Sequence, residues 1–446
     1  MRLMIRGVFW FGLYTFLITF PLVVGAVFIN PAQSPFFLVN LSAGFAYIGL
    51  AIMAAELALV ARFDGAASAF GEDSLLQFHR QIGITALVLV ALHPLLLIAT
   101  GGYTTRILLP WGGNPWPVWM GSAAFLAALL IVGLSVLRKR LGTSYEVWQG
   151  IHGTLSMALF ATAGIHIAAV GRFSALPVMR AAWALYVVAF LGMFLRYRLA
   201  RPLQMRKRPW EVVENREEIG DARTIVLRPV GHDGFTFEPG QFGWVGFGRS
   251  PFALTQHPIC FSSNGDIPSP VGEITFTIKN LGDWSGTVVP ALEPGDRAWV
   301  DGPHGVFTMD REEGAGYGLI GGGVGITPVY SMLLAMERRG DVRPVVLFYG
   351  ANTENDLIFD AELQALDDRM GNLQIVRVLA RPSDAWAGER GFITAELLKR
   401  HLPDPLRRHF QYFVCGPNPL MDAMETALPS IGIPADRVHT ERFDMV

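Results

Sequence analysis

Up to about Leu199 apolar side chains run almost without interruption, and Lys139 is the only lysine in that stretch. Six apolar runs stand out, at 8–29, 36–60, 79–100, 118–137, 145–170 and 176–195. At 1.5 Å of rise per residue each is long enough to cross a hydrocarbon core of about 30 Å. The first run superficially resembles a secretion signal, but it continues too far and has no convincing cleavage site, so it is read as a span. From Pro209 the texture changes to short alternating runs at 211–216, 223–229 and 273–279, separated by the turns EPGQ (238–241) and EPGD (293–296). That is the pattern of a small antiparallel barrel. Past Gly314, strands expected at 318–320, 345–349, 374–379 and 411–415 alternate with helices expected at 328–338, 361–370, 394–400 and 419–428. This alternation predicts a doubly wound parallel sheet. The expected architecture is a six-helix transmembrane bundle over 1–200, an antiparallel β-barrel over 209–312 and an α/β nucleotide-binding domain over 313–446.

Composition sharpens this picture. The 446 residues are 51% hydrophobic, too apolar for an ordinary soluble protein; the net charge of −2 is silent on nucleic acid, but no basic patch stands outside the membrane flanks, and no nucleic-acid partner is expected. Basic residues set the orientation. With the N-terminus inside, the inner segments hold Arg2, Arg6, Arg62, Arg80, Arg138, Lys139 and Arg140, and the exit from the sixth span adds Arg196, Arg198, Arg201, Arg206, Lys207 and Arg208. The outer loops hold only Arg106, Arg172 and Arg180. The positive-inside rule therefore predicts a protein of the cytoplasmic membrane with both termini and the whole second half in the cytoplasm.

Before His232 the only histidines are His79, His93, His152 and His166, each in or beside an apolar run. Within each pair the spacing is 14 residues. At about 100° per residue, that interval returns to the same helix face within about 40° and about 21 Å further along the axis. Two such helices offer what two stacked bis-histidine haems need: His79 with His152 near the inner surface and His93 with His166 towards the outer one. A lone membrane histidine is more commonly a packing hydrogen bonder; four, with matched spacings and a consistent topology, favour ligation. On this reading His79 and His152 start their helices, Pro94 bends the third span, and Glu56 is interfacial. The two cysteines, Cys260 and Cys415, cannot supply the four thiolates of a plant-type iron–sulfur cluster, and no CxxCH exists, so any haem is of the non-covalent b type.

In the second half GGGVGITP places Gly321, Gly322, Gly323, Val324, Gly325, Ile326 and Thr327 between a strand and its helix. Glycines let backbone amides approach a pyrophosphate, and the helix N-terminus favours its charge. CGPNPL places Cys415, Gly416 and Pro417 at the C-terminal end of a later strand, on the crevice edge where such sheets bind ligands. Cys415 is either a residue that touches the nicotinamide or a small buried apolar one.

Together these motifs resemble the ferredoxin–NADP reductase type of module, and with the four-histidine half the whole chain resembles the ferric reductase and NADPH oxidase superfamily. The resemblance implies FAD as a cofactor of the barrel. The family's HPFT motif corresponds to HPIC here: His257 and Pro258 match, while Ile259 and Cys260 depart from the aromatic and the threonine, and Ser262 and Ser263 follow in FSS. IKNLGDWS at 278–285 is similar to the family's second flavin segment, with Lys279 where a cation faces the pyrophosphate and with Trp284 and Ser285 close behind. DGPHG at 301–305 continues the series, and ERF at 441–443 puts Phe443 where the family stacks an aromatic on the flavin, although three residues follow it here. The implied activity is a relay in which NADPH or NADH reduces FAD, two b haems carry single electrons outwards, and dioxygen or a ferric chelate is the acceptor. Leu97, four residues after His93, stands where the oxidases carry a further histidine, and the outer loops hold no metal-ligating cluster, so both acceptors stay open. So do an electron-transfer subunit serving a partner protein and a membrane-anchored flavin reductase. Nucleotide preference is open too: Asn352 and Thr353 follow Gly350, and Arg381 and Arg390 are candidates for a 2′-phosphate.

Overall fold

The computed structural model describes residues 2–28, 36–60, 70–111, 113–170, 176–248, 250–253, 256–265, 272–402, 404 and 406–442. The chain divides into two compact units, Met1–Ala200 and Arg201–Val446.

The first unit contains the helices α1 (Arg2–Phe28), α2 (Phe37–Val60), α3 (Glu72–Ala99), α4 (Trp116–Leu141), α5 (Tyr145–Val170) and α6 (Pro177–Leu195). All six are long and apolar enough to cross a membrane. Their outer faces leave Val8, Phe11, Phe37, Val136 and Val188 mostly exposed, a surface that lipid covers and water would not tolerate. Inside, small residues let the helices approach, since lipid tails give apolar side chains no reason to prefer a neighbouring helix. A Cβ added at Gly49 of α2 would lie 2.8 Å from Val90 Cγ2 and 3.1 Å from the Ala86 carbonyl oxygen of α3. α2 packs along α3, and α4 along α5. α4 ends on Arg138, Lys139 and Arg140, followed by Gly142 in the left-handed conformation that closes a helix.

One expectation needs correcting. α3 starts at Glu72, so His79 lies two turns inside its helix, and α5 starts at Tyr145, well before His152. Glu72 and Asp73 fill the first turn of α3, where the helix dipole favours acids; a hydropathy reading passes over such a turn. Pro94 lies inside α3 without ending it.

The second unit opens with the short helix α7 (Arg201–Arg206) and six strands: β1 (Trp210–Glu218), β2 (Ala222–Pro229), β3 (Phe242–Phe247), β4 (His257–Cys260), β5 (Ile274–Lys279) and β6 (Arg297–His304). They pair antiparallel in the order β4-β3-β6-β1-β2-β5. A bridge from Phe261 to Phe276 joins the two ends and closes the barrel. Trp210, Ile225, Leu227, Val245, Phe261 and Phe276 fill it. Three of these strands escape the alternation pattern: β3 is buried at every position, and β4 and β6 carry Pro258 and Pro303.

The remaining strands are β7 (Tyr317–Gly322), β8 (Val345–Ala351), β9 (Leu373–Leu379), β10 (Glu389–Arg390), β11 (Gln411–Cys415) and β12 (Val438–Glu441), interleaved with α8 (Ile326–Arg339), α9 (Asp360–Arg369), α10 (Ala395–His401) and α11 (Asn418–Ser430). All strands run parallel, in the order β10-β9-β8-β7-β11-β12. α8 turns Ile326, Val329, Leu333 and Met336 to one face of the sheet, and α11 turns Met421, Met424 and Leu428 to the other. Winding starts at β7 and proceeds to β8 on one side, then returns to β11 on the other. The crevice between the C-terminal ends of β7 and β11 is the switch point where such sheets bind ligands.

Candidate functional site

In the first unit α3 carries His79 and His93, and α5 carries His152 and His166. The rings of His79 and His152 face each other with centres 6.3 Å apart, and those of His93 and His166 with centres 6.4 Å apart. An imidazole nitrogen binds a transition metal at about 2 Å, so two rings on opposite sides of one ion stand a little over 6 Å apart, centre to centre. Both pairs have that separation. No cluster of three or more His, Cys, Asp or Glu side chains suited to a metal occurs among the described residues. Two axial nitrogens without further protein ligands suit an ion that brings its own equatorial donors, as porphyrin iron does. The donor set therefore fits haem.

Every Nδ1 in the four rings has a partner on the helix behind it, which leaves Nε2 as the nitrogen for a ligand. His93 Nδ1 lies 2.8 Å from Ser42 Oγ and 3.2 Å from the Ser42 carbonyl oxygen on α2. His79 Nδ1 meets the Glu56 carboxylate, also on α2. His166 Nδ1 lies 2.8 Å from the Pro117 carbonyl oxygen on α4, and His152 Nδ1 lies 3.3 Å from Ser135 Oγ, which also accepts from Trp148 Nε1. Gly121, one turn after Pro117, makes room for the His166 ring, since a Cβ there would lie 2.7 Å from Nδ1.

Sequence reading missed these supports. Glu56, four residues before the end of α2, is buried, at 7% exposure, against a candidate ligand. A signal was present, however. Ser42 and Glu56 on α2, and Gly121 and Ser135 on α4, repeat the same 14-residue interval as the histidines they back. Antiparallel neighbours of equal rise must meet at equal intervals.

In the second unit, β7 ends at Gly322, a single turn covers Gly323–Gly325, and α8 begins at Ile326. A Cβ on Gly325 would lie 2.5 Å from the Cys415 carbonyl carbon and 2.7 Å from Gly416 Cα, so only glycine lets the two turns touch. Cys415 pairs with Gly321 across the sheet and is 1% exposed. Val324 packs against the core, Ile326 is within it, and Thr327 Oγ1 donates to the Val324 carbonyl at 3.0 Å. Gly416 is half-buried and Pro417 exposed, immediately before α11.

Two further groups converge on this crevice. Cys260, from HPIC, is buried with its Sγ 3.8 Å from Glu441 Oε2. Burial, then the nearby Glu441 carboxylate, pushes that thiol well above its usual range. Glu441 is β12's partner to Cys415. Sequence reading carried Glu441 only as part of the ERF run, and Phe443 of that run lies outside the described residues.

The remaining flavin-motif residues lie along the barrel. His257 stacks on Trp284 with ring centres 4.0 Å apart, and Trp284 stacks on Phe247 at 5.7 Å. Pro258 and Ile259 pair with Trp244 and Gly243. Ser262 joins a buried hydroxyl chain through Thr277 (3.0 Å) to Thr224 (2.8 Å). The Ser263 hydroxyl accepts from the Thr275 amide, and its carbonyl accepts from Ser331 on α8. Ser285 Oγ accepts from the amides of Leu281 and Gly282, holding its own turn. Lys279 Nζ stands 3.5 Å from Asp356 Oδ1.

Residues 45–163 match the family of ferric reductase like transmembrane components, and residues 319–426 match the oxidoreductase NAD-binding domain. Ferredoxin–NADP reductase B of Sorangium cellulosum is 34% identical over 244 residues, 50% of this chain and 97% of that one. The reductase component of propane 2-monooxygenase from Rhodococcus jostii is 30% identical over 230 residues, and this chain spans only 60% of its length. Among solved structures, flavohemoglobin from Malassezia yamatoensis aligns with a TM-score of 0.51 at 16% identity, over 90% of this chain and 98% of that one, a likeness of fold alone. The chain belongs to the ferric reductase and NADPH oxidase superfamily, an integral membrane oxidoreductase that joins a ferric-reductase-like membrane component to an FAD- and NAD(P)H-binding electron-transfer module of the ferredoxin–NADP reductase type.

Proposed function

We propose that this oxidoreductase takes electrons from cytoplasmic NADPH or NADH and delivers them through FAD and two b haems to an acceptor across the plasma membrane, dioxygen or a ferric chelate. The observation that carries the reading is the two facing histidine pairs, one above the other on the same two apolar helices. When bound, FAD would supply the conversion of an electron pair to single electrons, and haems held by the histidines would supply one-electron transfer. His79 and His152 would hold the inner haem, and His93 and His166 the outer one. The orientation rests on the basic residues gathered at one set of helix ends.

In the module, 209–312 serve FAD and 313–446 the nucleotide. Gly321–Gly325 and the N-terminus of α8 receive the pyrophosphate through backbone amides. Cys415 borders the nicotinamide, and Cys260 and Glu441 line the same crevice. His257 and Trp284, with Ser262, Ser263, Ser285 and Lys279 nearby, position the flavin. No side chain need act as acid or base in passing electrons; the protein supplies distance, dryness and tuned potentials. A second reading, delivery to a partner protein, draws on the similarity to the reductase component of a monooxygenase.

The test is aerobic turnover of the purified, FAD- and haem-loaded protein with each nucleotide, following cytochrome c reduction with and without superoxide dismutase. Inhibition by the dismutase identifies dioxygen as acceptor. Negligible oxygen-dependent turnover rescued by a ferric chelate identifies a metal reductase. Absence of haem bands in the loaded protein refutes the relay.

A further inference from the structure

The four supports behind the histidines differ in chemical kind. Ser42, Ser135 and the Pro117 carbonyl are neutral acceptors. Among the described residues, His79 alone of the four meets a carboxylate, that of Glu56. Glu56 is the only acid of α2 and is 7% exposed. A carboxylate buried among membrane-spanning helices is costly, so helix packing alone would favour an uncharged side chain. What a carboxylate adds is chemical. Accepting the Nδ1 proton of a metal-bound imidazole makes the ring a stronger donor and stabilises the more positive, oxidised state of the metal. Hydrogen bonding of this kind is one of the levers that sets a haem potential. The carboxyl support backs the His79–His152 pair, and the His93–His166 pair has only hydroxyl and carbonyl ones.

We propose that Glu56 is a positioning residue that holds the reduction potential of the haem at His79–His152 below that of the haem at His93–His166. Transfer from the first pair to the second is then downhill. The proposal rests on the haem reading above, and its test separates the two. Potentiometric titration of the haem-loaded full chain, followed by haem absorbance, is run on the wild type and on Glu56→Gln, each also combined with His166→Ala so that the His79–His152 haem is read alone. In Glu56→Gln the amide oxygen still accepts the Nδ1 proton, but the charge is gone. The lower midpoint should rise by at least 59 mV, the equivalent of a tenfold change in a one-electron equilibrium, and the upper midpoint should stay. Glu56→Asp, which retains the carboxylate, should keep the low midpoint. An unmoved lower midpoint in Glu56→Gln with both haems bound overturns the proposal and leaves the haem reading intact. Should Glu56→Gln lose a haem, Glu56→Asp decides: a raised lower midpoint with the carboxylate in place overturns it. A wild type without haem overturns the reading beneath it.

Discussion

Gly121→Ala is a single methyl whose effect separates a ligand-binding bundle from a merely packed one. The new Cβ would lie 2.7 Å from Nδ1 and 2.8 Å from Cε1 of His166. Ordinary contact needs about 3.4 Å, so the ring must retreat by about 0.7 Å. That retreat stretches the 2.8 Å bond from His166 Nδ1 to the Pro117 carbonyl to the limit of a hydrogen bond. Overpacking costs about 1–3 kcal/mol and the lost bond about 1 more. If the whole cost falls on the ring's ability to bind, the affinity of the His93–His166 pair for haem drops roughly 30- to 1000-fold. The helix itself should gain, because Ala is favoured over Gly in a helix interior by about 1 kcal/mol. Gly133 on the same helix has nothing within 4 Å of its added Cβ, so Gly133→Ala is the matched control. Haem per chain, measured as the pyridine complex in detergent, should fall from about two to about one in Gly121→Ala and stay at two in Gly133→Ala. NAD(P)H-dependent reduction of ferricyanide by the flavin module should be unchanged in both. Two haems with unshifted spectra in Gly121→Ala would refute the assignment of His166 as a ligand.

Other perturbations test neighbouring parts of the argument. His93→Ala and His166→Ala should each lose about half the haem, and normal spectra in either would mean the pair does not bind it. Gly325→Ala drives a methyl into the Cys415–Gly416 turn and should lower the melting temperature of the second unit, by about 1–3 kcal/mol of stability, with loss of nucleotide-dependent dye reduction; a wild-type melt would show that the two turns can separate freely. Burial lowers the pKa of His439, stacked on Phe413, to about 4. The fold therefore opposes its protonation, so its contribution to stability is complete above about pH 6.5 and is lost as pH falls from there towards 4, at most about 3 kcal/mol. His439→Gln should flatten the melting temperature across that window, and an unchanged pH slope would count against the residue.

Periodicity made some of this molecule legible and concealed the rest for definite reasons. Long apolar helices are readable because lipid demands apolar residues all round, and α8 is readable because one face meets a sheet. β3 was silent because burial on both faces removes alternation, and β4 because His257 and Pro258 are polar and ring-closed where a strand signal expects branched side chains. The histidines could be found because they are anomalous in their surroundings. Their supports stand out only through the shared interval, because serine, glycine and a proline carbonyl are ordinary in membrane helices, and Glu56 near a helix end looks like a residue reaching for the interface. Once α2 is seen to run antiparallel to α3, that ambiguity disappears. A residue that meets His93 on one helix must have its counterpart to His79 fourteen positions further along, and that position is Glu56. The recurrence of one interval on four helices is thus the geometric consequence of stacking two equal sites between antiparallel pairs, and it turns an isolated buried acid into a member of a pattern whose other members are neutral.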